Sequence, residues 1–326
     1  MTILSKIVPI GWLAHIGASF YLVRPLRTFS CRALLTMVPC AMLTFIGCSN
    51  LPLLHMSSMM IVVFYWMMTI RLLHLVVLSP KQTLSFRSFV GKLLWFFFPV
   101  IECKSTYSVL FDLVSALVKL VLNNWIFRWF INCGPSDTYV KMAMFYVFLC
   151  TGTYVVDAQI ALVRLITRNK YTLESFNNFP ILSRSLREFW GRRYNRVVGS
   201  VLRESIFEPL RSLFYLSSTS AALASFLVSG LLHAHVSIVV FGASSPLPAF
   251  TFFLLHGIAC CAEAYCPIVL PKPIGIIVTH TFLLLTAPLY VGLFTRAGPD
   301  FFVPNAPSLL NAKWLPQLPV PNFCPK

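Results

Sequence analysis

A chain of 326 residues that is 57% hydrophobic and carries only 11% Asp, Glu, Lys and Arg holds more apolar surface than a soluble interior can hide, against roughly 45–50% and about 25% in ordinary globular proteins. With 26 basic and 10 acidic residues, a net charge of +16 and a mean hydropathy of +0.77, it is not a soluble enzyme, a secreted disulfide scaffold, a disordered chain or a coiled coil. The composition predicts an all-α, polytopic integral membrane protein whose basic residues serve its loops and an anionic ligand, not nucleic acid.

Crossing about 30 Å of hydrocarbon takes roughly 20 apolar residues. Such stretches fall at about 7–23, 33–49, 52–70, 106–130, 139–163, 213–240, 247–270 and 274–295, which predicts about eight transmembrane helices. The first follows Lys6 and has no small-residue cleavage site after it, so it reads as a retained span and not as a signal peptide. The fourth carries Asp112, Lys119 and Arg128 and is expected to be tilted, broken or partly open to an aqueous cavity. Leu93 to Ile101, with Trp95 and three consecutive phenylalanines, is under half a membrane thick and predicts an interfacial or re-entrant piece. The tail after Arg296 contains Pro299, Pro304, Pro307, Pro316, Pro319, Pro321 and Pro325; it is expected to be irregular and dispensable for chemistry.

Basic residues concentrate in alternate loops: Arg24, Arg27 and Arg32 after the first span, Arg71, Lys81, Arg87 and Lys92 after the third. The segment 164–211 holds ten of the 26 basic residues. The positive-inside rule then places the N-terminus in the lumen and 164–211 in the cytoplasm. The ten cysteines form no CxxC pair, so buried inert thiols are expected, without a structural disulfide or zinc.

Ionisable groups within hydrocarbon are expensive, which makes each a candidate site. The sixth apolar stretch contains FLVSGLLHAHV, with Ser229, Gly230, His233 and His235. Helical geometry puts His233 on the face of Ser229 and Gly230 and turns His235 about 200° away. A desolvated neutral imidazole is a ready general base; a packing histidine bonded to a neighbouring helix is the plainer reading. Before it, residues 185–211 combine an apolar side that includes Phe189, Trp190 and Tyr194 with Arg192, Arg193, Arg196 and Arg203. This is either a helix lying on anionic headgroups or an arginine-rich mouth that grips phosphate oxygens. Glu263 lies seven residues after His256, near one helix face, as a lining or structural pair. Asp157 and Arg164 share that spacing and predict an intrahelical or bundle ion pair. His15, His74 and His280 read as interfacial or core residues.

Three blocks in order, ESFNNFPILSRSLREFWGRRYN from Glu174 to Asn195, SGLLH from Ser229 to His233 and FFLLHG from Phe252 to Gly257, resemble the wax synthase branch of the membrane-bound O-acyltransferases. They are similar in particular to the plant long-chain-alcohol and sterol acyltransferases. The resemblance covers roughly residues 170–265. It implies one membrane-embedded acyltransferase domain over 1–326, with 164–211 as a cytoplasmic basic loop and amphipathic helix and 297–326 as a Pro-rich tail. It implies that His233 is the catalytic histidine and Asn195 its polar partner from the FWGRRYN-type motif. Trp190, Arg192, Arg193 and Arg196 are then expected to bind acyl-CoA, with Ser229, Gly230, His256 and Glu263 as possible lining. Tyr194 stands where that motif usually has tryptophan, and Ala234 where many relatives have glutamate after the histidine.

The expected reaction transfers a fatty acyl group from acyl-CoA, a co-substrate and not a cofactor, to the hydroxyl of a lipophilic alcohol, giving a wax or sterol ester. No metal and no nucleic acid enter it, and the expected location is the endoplasmic reticulum membrane. Two other classes stay open: a transporter with intramembrane histidines, against which the lack of an internal repeat speaks, and another membrane lipid enzyme such as a cyclase or isomerase.

Overall fold

The computed structural model describes residues 3–79, 83–104, 107–266, 270–321 and 323–324. Lys81, Pro325 and the side chain of Lys6 lie outside the described residues. The longer helices are α1 (Ile3–Ala18), α2 (Phe29–Cys48), α3 (Met56–Leu72), α4 (Phe86–Leu94), α5 (Val109–Asn132), α6 (Tyr139–Thr151), α7 (Tyr154–Ile166), α8 (Arg196–Leu202), α9 (Ser218–Phe241), α10 (Leu247–Tyr265) and α11 (Lys272–Thr286). Strands β1 (Val100–Glu102) and β2 (Tyr171–Leu173) form a small antiparallel ribbon with Ile101 opposite Thr172. Among the described residues seven helical stretches are long and apolar enough to cross a membrane, and Ile7–Val23 is a shorter apolar helix. These eight correspond one for one to the apolar stretches expected from the sequence.

The chain divides into two compact units, Met1–Phe98 with Ser200–Cys261, and Pro99–Gly199 with Ala262–Lys326. In the first, α2 packs on α1 and on α3, and Trp12 stacks on Tyr65 with ring centroids 5.4 Å apart. Helix α3 packs in turn on α9. Helix α9 starts at Ser217, whose side chain accepts the Ser220 amide and so satisfies an end-of-helix donor. The patch from Leu93 to Ile101 is the end of α4, a 3₁₀ turn at Trp95–Phe97 and strand β1.

In the second unit α5 is one continuous helix of 24 residues, so of the three forms expected for the fourth span, tilted, broken or partly open to an aqueous cavity, the broken one is removed. Two of its three charges are neutralised sideways by α7: Lys119 Nζ lies 2.5 Å from Asp157, and Arg164 pairs with Asp112. Because each pair steps by seven residues in opposite directions, the two helices run antiparallel with their charges in register. Asp157 and Arg164 thus pair across the bundle and not with each other.

The absence of a disulfide is also corrected: Cys133, just past α5, is bonded to Cys324 in the tail, 191 residues away. No spacing pattern announces a pairing over that distance; the tail creates it by folding back along α5. The side chains of Asn124, Trp125, Arg128 and Trp129 donate to the carbonyls of Leu310, Pro319, Leu318 and Phe323. Irregular backbone is tolerated near hydrocarbon only when its polar groups have partners, and the prolines reduce the number of amide donors that need one.

Candidate functional site

The three blocks fold into two local arrangements, one in each unit. In the first unit, His233 sits half-buried on α9. Its Nδ1 is 2.7 Å from the Ser229 carbonyl oxygen one turn back and 3.5 Å from the Ser229 hydroxyl. A carbonyl only accepts, so Nδ1 carries the proton and Nε2 is the nitrogen with the basic lone pair. The ring stacks on Phe253 of α10 with centroids 3.9 Å apart and planes 23° apart.

That stack depends on how closely α9 and α10 approach. A Cβ on Gly257 would lie 2.8 Å from Phe226 Cβ, and one on Gly230 would lie 3.0 Å from the Phe250 ring. The glycines of SGLLH and FFLLHG therefore act as reciprocal contact points, and any side chain there would push the helices apart. His256 repeats the local pattern, with Nδ1 2.7 Å from the Phe252 carbonyl oxygen, and it is fully buried. His235 faces the other way, as its helical phase requires, and its Nδ1 accepts the Trp66 indole N–H at 3.0 Å. The two histidines thus hold opposite tautomers, His233 protonated on Nδ1 and His235 accepting through Nδ1.

In the second unit, FWGRRYN forms a π-helical turn over Phe189–Arg193 closed by the Tyr194 amide on the Phe189 carbonyl oxygen, 2.8 Å. Such turns recur at functional sites. Phe189 stacks on Tyr194 with centroids 5.0 Å apart, and Trp190 sets its edge against both rings. Burial pushes the Tyr194 phenol up, the neighbouring Cys150 adding to the effect.

The preceding turn is capped twice. Ser185 Oγ accepts the Glu188 amide at 3.0 Å, and the Glu263 carboxylate accepts the amides of Leu186 and Arg187 at 2.9 and 3.0 Å. Glu263 is therefore a capping group and not the partner of His256. Glu188 accepts the Arg184 amide at 2.8 Å and pairs with Arg193 at 2.7 Å. Burial raises its carboxyl, but the Arg184 amide and the Arg193 guanidinium outweigh that and hold it below the usual carboxylate range.

The arginines expected to act together are separated by these partners. Arg193 is held by Glu188 and the carbonyls of Asn178 and Phe179, and Arg196 by Glu174 and Ser175. Arg192 is exposed and has no ion pair among the described residues. Asn195 begins α8: its Oδ1 accepts the Val198 amide at 3.4 Å, its carbonyl accepts the Gly199 amide, and its own amide donates to Asn177 Oδ1. Its φ is 45°, in the left-handed region that asparagine tolerates better than most residues. Sequence reasoning missed Phe253, Trp66, Asn177, Glu174 and Glu188. Four of these lie inside the quoted blocks, where an acid near an arginine or an aromatic four residues from a helix contact was the available signal. Among the described residues no group of three His, Cys, Asp or Glu is placed to hold a metal ion.

Residues 173–255 match the model of the membrane bound O-acyl transferase family. Over 127 residues the chain is 35% identical to a probable long-chain-alcohol O-fatty-acyltransferase 2 of Arabidopsis thaliana, covering 35% of this chain and 37% of that protein. It is 32% identical over 126 residues to an acyl-CoA–sterol O-acyltransferase 1 of the same plant, covering 35% and 36%. It is 30% identical over 118 residues to a long-chain-alcohol O-fatty-acyltransferase of Simmondsia chinensis, covering 34% and 33%. The chain thus spans about a third of the length of the curated relatives it matches. The segment that holds FWGRRYN and His233 is the part that matches the membrane bound O-acyl transferase family, and the resemblance to the wax synthase branch drawn from its three blocks is borne out.

Proposed function

We propose that this protein transfers a fatty acyl group from acyl-CoA to the hydroxyl of a lipophilic alcohol, with His233 as general base. The observation that carries the reading is the His233 tautomer, with Nδ1–H held by the Ser229 carbonyl and Nε2 as the basic atom of a ring fixed by Phe253. Nε2 takes the hydroxyl proton as the alcohol oxygen attacks the thioester carbonyl carbon. The tetrahedral intermediate collapses with cleavage of the C–S bond, and Nε2–H returns the proton to the departing thiolate. A backbone bond at Nδ1 fixes the tautomer for both steps without a carboxylate, which answers the alanine at position 234.

We assign Asn195 a hydrogen bond to the acyl donor, and Arg192, with Trp190 beside it, contact with the coenzyme phosphates. Arg193 and Arg196 then shape the loop that presents them. Ser229 orients the base, Gly230 and His256 belong to the packing around it, and Glu263 fixes the start of the FWGRRYN turn. The proposed location is the endoplasmic reticulum membrane with 164–211 in the cytoplasm. Cysteine chemistry supports that orientation alongside the loop charges. Alternation of eight spans puts Cys133 and Cys324 on the lumenal side, where disulfides persist, and leaves Cys31, Cys103 and Cys266, all free thiols, on the other.

The test is ester formation by membranes containing the chain, supplied with labelled acyl-CoA and a panel of fatty alcohols and sterols, with no gradient imposed. Ester that depends on acyl-CoA and disappears in His233→Ala supports the reading. No ester with any acceptor refutes it.

A further inference from the structure

The first unit contains a cavity of about 800 Å³ that the acyl-transfer chemistry does not use. It is walled by the end of α3, by α4 and by residues 204–213, with Arg71, His74, Lys92, Trp95, Glu204 and Glu208 as its chemically active lining. Arg71 is only 4% exposed and forms the floor. Its Nη1 donates to Glu204 Oε2 at 2.7 Å, and its Nε and Nη2 donate to the Lys92 carbonyl oxygen at 3.2 and 2.9 Å. All three directions of that guanidinium are therefore taken by the protein.

Glu204, Glu208 and His74 are less committed. The Glu204 side chain is 49% exposed, and its second oxygen has no partner among the described residues. Among the described residues Glu208 pairs with the well-exposed Arg203, at 3.1 Å. His74 is half-buried and its Nδ1 has no hydrogen-bond partner among the described residues, a rare condition for a buried polar atom. Lys92 stands exposed on α4.

The lining charges balance, two cations against two carboxylates, and that pattern selects the occupant. The phosphates of coenzyme A would face both carboxylates, and a sterol or fatty alcohol would bring no charge to meet any of the lining groups. The surroundings set the depth. Helix α4 and the turn after it expose Phe86, Leu94, Phe97 and Phe98 beside the cavity, the arrangement of a segment lying at headgroup level.

We propose that this cavity binds the headgroup of a zwitterionic phospholipid. The phosphate lies toward Lys92 and His74, and the ammonium lies against Glu204, Glu208 and the face of Trp95. Two variants test it without touching the Arg71 floor. Gly91 lines the cavity, and a Cβ there meets nothing within 4 Å, so Gly91→Trp starts a bulky side chain into the space from an open position. Lys92→Gln with Glu208→Gln removes one charge of each sign.

The full chain, purified in detergent, is offered phosphatidylcholine or phosphatidylglycerol with identical acyl chains, and lipid retained after gel filtration is counted by native mass spectrometry. The wild-type protein should retain phosphatidylcholine about tenfold better than phosphatidylglycerol, and each variant should lose about tenfold of that retention. Coenzyme A in excess should not displace the lipid. Equal retention of the anionic lipid, displacement by coenzyme A, or undiminished retention by Gly91→Trp would each overturn the proposal. The lipid comparison reads on the wild-type chain alone, so it decides even where a variant does not elute as the wild type does.

Discussion

Asn195 carries two roles that a single alanine replacement confounds, and the structure shows how to separate them. Its side chain caps α8 through Oδ1, and its backbone sits at φ 45°. Alanine removes the cap, at about 0.5–2 kcal/mol, and must hold a left-handed conformation that costs an ordinary residue about 1–2 kcal/mol. Asn195→Ala should therefore lower the thermal midpoint as well as turnover. Asn195→Asp keeps the capping oxygen, tolerates the same φ and places a negative charge at a helix N-terminus, a gain of about 0.3–1 kcal/mol. Asn195→Gly relieves the φ and costs the cap only a few tenths of a kcal/mol. Both should fold as the wild type, yet both lack the amide donor. If that donor serves a developing oxyanion, each should lose about 100- to 1,000-fold in turnover at saturating acyl-CoA. The measurement is initial rate and thermal midpoint on the same membrane preparations. Aspartate and glycine variants within about threefold of wild type, with only alanine impaired, would make Asn195 a cap and nothing more.

The remaining expectations follow from the same contacts. His233→Ala should cut turnover by about 100- to 10,000-fold with normal insertion, whereas His235→Ala, which loses only the Trp66 bond, should stay within about tenfold; equal losses in rate assays would remove the base assignment. Arg192→Gln should raise the Michaelis constant for acyl-CoA more than that for the alcohol, while Arg193→Gln, by unpairing Glu188, should act mainly on protease resistance of the 184–199 loop; the reverse pattern would exchange their roles. The Glu188 carboxyl is depressed, so its stabilisation of that loop is fully present above the ordinary carboxyl value of 4.5 and is lost as pH falls through the lower folded value. Hydrogen exchange of residues 184–199 should therefore quicken below about pH 4.5 in the wild type and lose that dependence in Glu188→Gln, a result a pH-independent loop would contradict. Asp157→Asn leaves Lys119 inside the bundle without its counterion and should destabilise by about 3–5 kcal/mol, read as a lower thermal midpoint; restoration by Lys119→Met in the double variant would confirm the pairing.

The spans were legible because hydrocarbon thickness is a one-dimensional constraint, and length with hydropathy reads it directly. Each of the eight apolar stretches has a helix, with boundaries moved by a few residues where a cap such as Ser217 or Ser108 overrides hydropathy. The phase of His233 against His235 was legible for a similar reason, since α-helical geometry fixes it locally. The lateral pairing of α5 with α7, and the disulfide from Cys133 to Cys324, were not legible. Both depend on which distant segment lies alongside α5, and neither hydropathy nor spacing encodes that neighbour. The arginine cluster shows the same limit: FWGRRYN reads as a uniformly basic mouth, yet Glu174 and Glu188 take Arg196 and Arg193 out of it.

That last correction bears on how chemistry is found in an apolar chain. With so few acidic residues, each carboxylate has a large effect on which cations stay available. Asp112, Asp157, Glu174, Glu188 and Glu204 each hold a specific basic partner, and Glu263 holds two amides instead. Subtracting those partnerships, and that of Glu208 with Arg203, from the basic loop leaves Arg168, Lys170, Arg184, Arg187, Arg192 and Arg211 exposed, of which only Arg192 lies within the FWGRRYN turn. In the sixth span, the Trp66 indole takes Nδ1 of His235, and the Ser229 carbonyl fixes the proton of His233 on Nδ1. Charge pairing thus does for the loop what tautomer choice does for the span: it commits polar groups to the fold one partner at a time.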